Sequence, residues 1–129
     1  MDKAEKLDNI CIINIGSNID AEKNIPNMFE LLGREVSIVK ISSFRKTKPI
    51  GIKAQPDFTN GAVRIRTPLS REELKSVLFQ IEDRLGRDRT APKFGPRTID
   101  LDIVAWNGEI VDNDYYTRDF IRESVEQVS

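Results

Sequence analysis

Within Phe94-Gly-Pro-Arg-Thr-Ile-Asp-Leu-Asp-Ile103, a Gly-Pro turn, an arginine and two carboxylates are packed into one short stretch. From Ile99 the residues alternate, with Ile99, Leu101, Ile103 and Ala105 on one side and Asp100, Asp102, Val104 and Trp106 on the other, which is the period of a strand. Both aspartates then share a face, about 6.5 to 7 Å apart by two residues' rise. At that spacing two carboxylates can hold a divalent cation between them. Without one, each raises the proton affinity of the other. Oxygen-only ligation favours Mg²⁺ or Mn²⁺ over zinc. A solvated strand face carrying two aspartates would show the same spacing.

Ahead of this strand stand Arg84, Arg87, Arg89, Lys93 and Arg97. Alone, such a run is an ordinary charged surface. Beside two metal-binding carboxylates, mobile cations supply what phosphoryl-group transfer needs, positioning and charge neutralisation. The chain has no Gly-x-x-x-x-Gly-Lys-Ser/Thr, and Gly16-Ser-Asn18 is too short to be such a loop, so a P-loop enzyme is excluded. With no histidine and one cysteine, zinc sites and Cys-His or Ser-His dyads are excluded too. Carboxylates, lysines, tyrosines or solvent remain for proton transfer. Phe58 and Asn60, two apart, could turn an aromatic face and an amide into one cavity; a core phenylalanine and a surface amide fit the same spacing.

The 129 residues suit one domain over 1–129 with a single core, and 39% hydrophobic with 32% charged residues is ordinary for a globular protein. Twenty basic against twenty-one acidic residues give a net charge of -1, so no overall field draws the chain to nucleic acid or membrane. Phosphate binding must come from local clusters. Cys11, inside an apolar run, reads as a buried, inert thiol in a reducing compartment, and the cytoplasm is the expected location. No apolar run approaches the roughly 20 residues of a membrane span. The polar start over 1–8 lacks the apolar core of a signal peptide and is expected to be a loose tail.

The elements that position these residues follow in order. Ile10–Ile15 reads as a buried strand ended by Gly16-Ser-Asn18, and Asp20 or Asn24 as a cap for a helix with Pro26 in its first turn and Gly33 as its stop. Val36–Phe44 reads as a second strand, Lys48–Pro56 as a loop, and Phe58–Thr67 as a third strand. Ser70-Arg-Glu-Glu73 forms a capping box, with Leu74, Val77, Leu78, Ile81 and Leu85 at helical spacing up to Gly86. Arg87–Arg97 is irregular, the aspartate strand follows, and Asn107-Gly108 signals a hairpin pairing Glu109–Val111 with Ile103–Trp106. Ile121, Val125 and Val128 mark a short final helix. This order predicts an α+β ferredoxin-like sandwich, a mainly antiparallel sheet with helices packed on it and an added hairpin strand.

Several groups of residues together resemble the 6-hydroxymethyl-7,8-dihydropterin pyrophosphokinases of folate biosynthesis. They are Ile15-Gly-Ser-Asn18, Ser42-Ser-Phe44 with Thr47 and Pro49-Ile-Gly51, Gln55-Pro-Asp-Phe-Thr-Asn60, Ile81-Glu82 with Leu85-Gly-Arg87, and Gly95-Pro-Arg-Thr-Ile-Asp-Leu-Asp102, the last highly specific. The resemblance implies transfer of pyrophosphate from ATP to the hydroxymethyl group of a reduced pterin, giving AMP and the pterin diphosphate. By it, Asp100 and Asp102 hold two Mg²⁺ ions and act with Arg87 and Arg97 in catalysis. Arg87, Arg89 and Arg97 contact phosphates, Glu82 and Ile103 line the nucleotide site, and Phe94 holds the usual tryptophan position in a mobile loop. Phe58 and Asn60 take the pterin, with Thr47, Pro49 and Ile50 in the adjoining loop. The implied partners are ATP and a reduced pterin, without nucleic acid or membrane, on a monomer or homodimer.

The chain departs from the family at Phe79, where a glutamine is usual, and at Arg118-Asp-Phe120, where Val-Pro-His is usual. The family's later segment, with a second pterin-stacking aromatic and another arginine, has no match. Arg118, Phe120 and Arg122 offer that chemistry without the motif. A short form of the family with a divergent C-terminus is expected. The alternatives are a non-catalytic nucleotide- and pterin-binding relative and, more remotely, a sheet-based RNA-binding module, whose aromatic motifs are absent.

Overall fold

The computed structural model describes residues 8–129, so the expected tail lies outside the described residues except for Asp8. Strand β1 (Asn9–Ser17) is buried from Cys11 onwards. It lies between β4 (Phe58–Thr67) and β5 (Asp100–Trp106), antiparallel to both. β2 (Ser37–Ile41) and β3 (Arg45–Thr47) pair with successive parts of β4, and β6 (Glu109–Ile110) pairs with the end of β5, giving the order β2-β4-β1-β5-β6. The result is an antiparallel sheet with helices, an α+β arrangement.

Two cores form on the two faces. Helices α1 (Ala21–Gly33) and α2 (Arg71–Arg84) bring Met28, Leu32, Leu74, Leu78 and Ile81 onto Cys11, Ile13, Ile15, Val63 and Leu101. After the short α3 (Asp114–Thr117), helix α4 (Asp119–Val128) closes the other face, packing Ile121, Val125 and Val128 on Ile12, Ala62, Val104 and Ala105. Cys11 is buried, and desolvation pushes its thiol up to about 12, so it stays unionised.

Local chemistry accounts for most boundaries. Ser70 Oγ accepts from Glu73 N at 3.1 Å and Glu73 Oε1 accepts from Ser70 N at 2.9 Å, completing the capping box. Asn107 and Gly108 take φ 50° and 88°, as the hairpin requires. Three expectations are corrected. Asp20 stands at the start of α1 without a capping bond from its side chain, Asn24 instead donates to Ile19 O at 2.6 Å, and Pro26 falls in the second turn. Pro26 is exposed, so the carbonyl it leaves without an intrahelical donor can be hydrated.

The expected strand Val36–Phe44 is divided. Buried Ser42 donates its backbone N–H to Ala62 O at 2.9 Å and accepts Ala62 N on its hydroxyl at 2.8 Å. Phe44 then folds over Gly61 and packs edge-on against Phe29, centroids 6.1 Å apart. The alternation along β5 is also broken, since Ile12 and Ile13 face Ala105 and Ile103 and leave Val104 as a bulge. Ala105 therefore joins the α4 face and Trp106 the opposite one, the reverse of the expectation. β6 ends at Ile110, one residue short of the expected Val111, although Val111 N still donates to Val104 O in the same register.

A Cβ on Gly61 would lie 2.6 Å from the Phe44 ring. Gly61→Ala should cost about 1–3 kcal/mol through overpacking. A urea titration would show it as a lower midpoint at unchanged slope, whereas an unchanged midpoint would contradict this seat for Phe44.

Candidate active site

Register across the three central strands sets two rows of residues on the α4 face. Asn60, Gly16 and Asp100 form one row, and Ala62, Asn14 and Asp102 the next. Gly16 and Ala62 are small and the other four are polar, so the sheet there is a depression with a polar floor. A Cβ on Gly16 would meet Asn60 Oδ1 at 2.9 Å. The depression opens into a cavity of about 330 Å³. Thr47, Lys48 and Ile50 wall it on one side, Arg87, Lys93, Phe94 and Arg97 on another, and Asp112, Asp114, Arg118, Phe120 and Ile121 on a third, with Phe58 beside Asn60.

The two irregular loops are tied together through the end of β1. Asn18 Nδ2 donates to Gln55 Oε1 and Pro56 O, both at 2.9 Å, while its Oδ1 accepts Arg97 N at 2.8 Å and its backbone N donates to Arg97 O. Ser17 Oγ donates to Thr98 O at 2.6 Å. Gln55 Nε2 reaches across to Phe94 O at 2.7 Å, and Phe94, at φ 67°, lies against Gly51. The family loop expected to be mobile is thus latched to its neighbour in this structure.

Charge is organised around Glu82, only 5% exposed. Its Oε2 accepts Leu101 N at 2.7 Å and pairs with Arg87 at 3.0 Å, and its Oε1 accepts Arg89 at 3.0 Å. Burial raises its pKa, and these three donors oppose the rise. Arg87 continues to Asp100 Oδ1 and Arg97 to Asp100 Oδ2, each at 3.1 Å. Asp102 is treated differently. Its carboxyl touches solvent through the cavity mouth, but protein on its other sides thins its hydration. That desolvation, then the charges of Asp100, Glu82 and Asp112, push it up to about 8.

This donor set suits a hard divalent ion. Asp102 has raised proton affinity and, among the described residues, no cationic partner in an ion pair. Among those residues no three histidine, cysteine or carboxylate side chains converge as a metal cage. A Mg²⁺ ion held by one or two carboxylates takes its remaining ligands from water and phosphate oxygens.

Most of the expected site residues come together. Thr47, Ile50, Phe58, Asn60, Arg87, Phe94, Arg97, Asp100 and Asp102 line the one cavity, with Asn60 donating to Thr47 Oγ1. Pro49, between Lys48 and Ile50 of that wall, is itself buried. Glu82, Arg89 and Ile103 line a neighbouring groove of about 250 Å³ with Lys75, Leu78 and Phe79, and Arg87, Asp100 and Asp102 stand at the border of the two. Arg89 is held there by Glu82 and Asp83, its guanidinium 3.4 Å above the Phe79 ring. Of the C-terminal candidates, Arg118 and Phe120 reach the cavity, whereas Arg122 is occupied by Tyr115 O and Asp119. Asn14, Asn18 and Gln55 had no assigned role in the sequence. Asn18 and Gln55 stand within matched motifs, but Asn14 carries no signal beyond being a polar residue in an apolar run.

The site can hold two anionic or polar ligands end to end, one at the arginines and one against Phe58 and Asn60, with two carboxylates between. A family model described as 7,8-dihydro-6-hydroxymethylpterin-pyrophosphokinase matches residues 12–129. The chain is 40% identical over 111 residues to a 2-amino-4-hydroxy-6-hydroxymethyldihydropteridine pyrophosphokinase of Bacillus subtilis, covering 84% of this chain and 66% of that protein. It is 42% identical over 80 residues to the protein of the same name from Haemophilus influenzae, 62% of this chain and 49% of that one. A folate synthesis bifunctional protein of Arabidopsis thaliana matches at 36% over 97 residues, 72% of this chain and 20% of that one. The chain thus spans about two thirds of the first relative and half of the second. With the family model covering nearly the whole chain and the matched motifs meeting in one cavity, this protein belongs to the 7,8-dihydro-6-hydroxymethylpterin-pyrophosphokinase family.

Proposed function

We propose that this protein transfers pyrophosphate from ATP to 6-hydroxymethyl-7,8-dihydropterin, yielding AMP and the pterin diphosphate in folate biosynthesis. The observation that carries this is a single cavity joining Thr47, Phe58 and Asn60 to Arg87, Arg97, Asp100 and Asp102. Since both the carboxylate pair and the arginines are retained, the non-catalytic alternative is not favoured. The sheet order β2-β4-β1-β5, with β1 and β4 central, supports a ferredoxin-like sandwich extended by β6 and α4. One domain over 1–129 in the cytoplasm fits the buried thiol, and no described helix is long and apolar enough to cross a membrane.

The pterin would lie against Phe58, its edge facing Asn60, with Phe120 supplying the second apolar wall. The nucleotide would lie in the adjoining groove between Ile103 and Phe79. Because Leu101 turns its N–H outward to Glu82, strand alternation turns the backbone of Ile103 outward two residues later, where a planar base can meet it. The phosphates then fall at the border, within reach of Arg87 and Arg97. There the pterin hydroxyl attacks the β-phosphorus in line, forming the new O–P bond as the bond to the α-phosphate oxygen breaks and AMP departs. Asp100 and Asp102 would hold the metal, two Mg²⁺ ions by the resemblance, whose chemistry there would be to neutralise phosphate charge. Arg87 and Arg97 orient the chain of phosphates, and binding both substrates in one cavity supplies the alignment.

The test is AMP release from Mg-ATP and 6-hydroxymethyl-7,8-dihydropterin; no release by the folded protein would refute the reading. Asp100→Ala and Asp102→Ala should abolish turnover with the fold retained, and near-normal turnover in either would remove that residue from the metal site. Arg97→Ala should lower kcat/KM by roughly 10²-fold; an unchanged value would contradict its role. For the protein in EDTA, Asp102 binds its proton up to about pH 8 when folded and to near 3.8 when unfolded. Between those limits the folded state carries more protons, so this carboxyl lowers stability as pH rises. By calorimetry, Asp102→Asn should melt above the unsubstituted protein at pH 8 and lose that advantage towards pH 4. A gap independent of pH would contradict the raised proton affinity.

A further inference from the structure

Asn14 stands in the middle of the cavity floor, on the central strand, with Ala62 opposite it on one side and Asp102 on the other. It is 8% exposed, and among the described residues its Oδ1 has no hydrogen-bond partner. The two other buried side-chain atoms without a partner, Arg64 Nε and Thr98 Oγ1, belong to residues that do not line the cavity. Every other β1 residue from Cys11 to Ile15 is apolar, and an apolar residue here would remove a buried polar atom that destabilises the fold while it stays unpaired. Asn14 borders the cavity while its Oδ1 is covered, so a ligand meets that oxygen once the terminal amide turns.

The geometry also indicates what that ligand presents. Asn60 pairs with Gly16, so Asn14 and Asn60 are diagonal neighbours on one face. Diagonal pairs are about 7–8 Å apart, so the two amides can meet separate heteroatoms along one edge of a fused two-ring heterocycle. Asn60 is oriented by Thr47, and its Oδ1 lies over Gly16, on the side of Asn14. A carboxamide offers a donor and an acceptor side by side. A cation at Asp102 would use only the oxygen and leave the amide nitrogen without a role.

Resting on the function proposed above, we infer that Asn14 is a second substrate-reading amide: with Asn60 it faces one edge of the bound pterin and hydrogen-bonds a ring heteroatom that Asn60 does not reach. It is a specificity residue and takes no part in bond making. Asn14→Ala and Asn14→Leu would be compared with the unsubstituted protein by calorimetric titration with 6-hydroxymethylpterin, in the presence of Mg²⁺ and a non-hydrolysable ATP analogue. Both variants should bind the pterin about tenfold more weakly, as loss of one or two hydrogen bonds implies. Nucleotide affinity should be unchanged, and the melting temperature equal or higher, which a purely structural role would not produce. Unchanged pterin affinity in both variants overturns the inference. So does weaker Mn²⁺ binding measured without pterin, which would make Asn14 a metal ligand. If the unsubstituted protein binds the nucleotide analogue but no pterin, the proposed function itself fails and takes this inference with it.

Discussion

A carboxylate placed in a protein interior must be surrounded by donors, and at Glu82 that requirement arranges the site. Satisfying it draws Leu101 N, Arg87 and Arg89 to one point, which anchors the start of β5 to helix α2. Charge then alternates outward: Arg87 holds Asp100, Asp100 holds Arg97, and the backbone of Arg97 is held by Asn18. Asn18 passes the connection to Gln55 and so to Phe94. The carboxylate strand, the arginine loop and the proline-containing loop are thereby fixed relative to one another by one continuous set of polar contacts. Glu82 thus holds other groups in place as well as lining the groove.

The same arrangement makes the two aspartates unequal although they stand on one face of one strand. Among the described residues Asp100 has two guanidinium partners and Asp102 has none, while desolvation on its protein side and neighbouring carboxylates raise the proton affinity of Asp102. A divalent ion held between them would compete with a proton at Asp102 and with arginines at Asp100. Those arginines are the groups that phosphate oxygens would engage. Metal and nucleotide binding would then be coupled through Asp100.

Much of this was legible along the chain because the signals are local. The Ser70 box, the Asn107-Gly108 turn and the alternation from Ile99 to Ile103 each depend on residues a few positions apart, and each folds as expected. What was hidden depends on partners far away. The bulge at Val104 exists only in register with Ile12 and Ile13, and it exchanges the faces of Ala105 and Trp106. The division of the second strand follows from Phe44 seating on Gly61, with Ser42 bonded to Ala62. Likewise, the family motifs named the residues of the cavity but not the division into two adjoining hollows. They could not show that Arg118 and Phe120 come round on the far side, since no motif covers that segment.

The central claim is that one cavity and its neighbouring groove hold pterin and nucleotide end to end across Asp100 and Asp102. The most direct measurement is a crystal structure with Mg²⁺, a non-hydrolysable ATP analogue and 6-hydroxymethylpterin bound together. The account predicts the pterin between Phe58 and Phe120, the base beside Ile103, and the phosphates at Arg87 and Arg97 with metal on both aspartates. A pterin seated away from Phe58 and Asn60, or phosphates bound without contact to the aspartate-held metal, would contradict it.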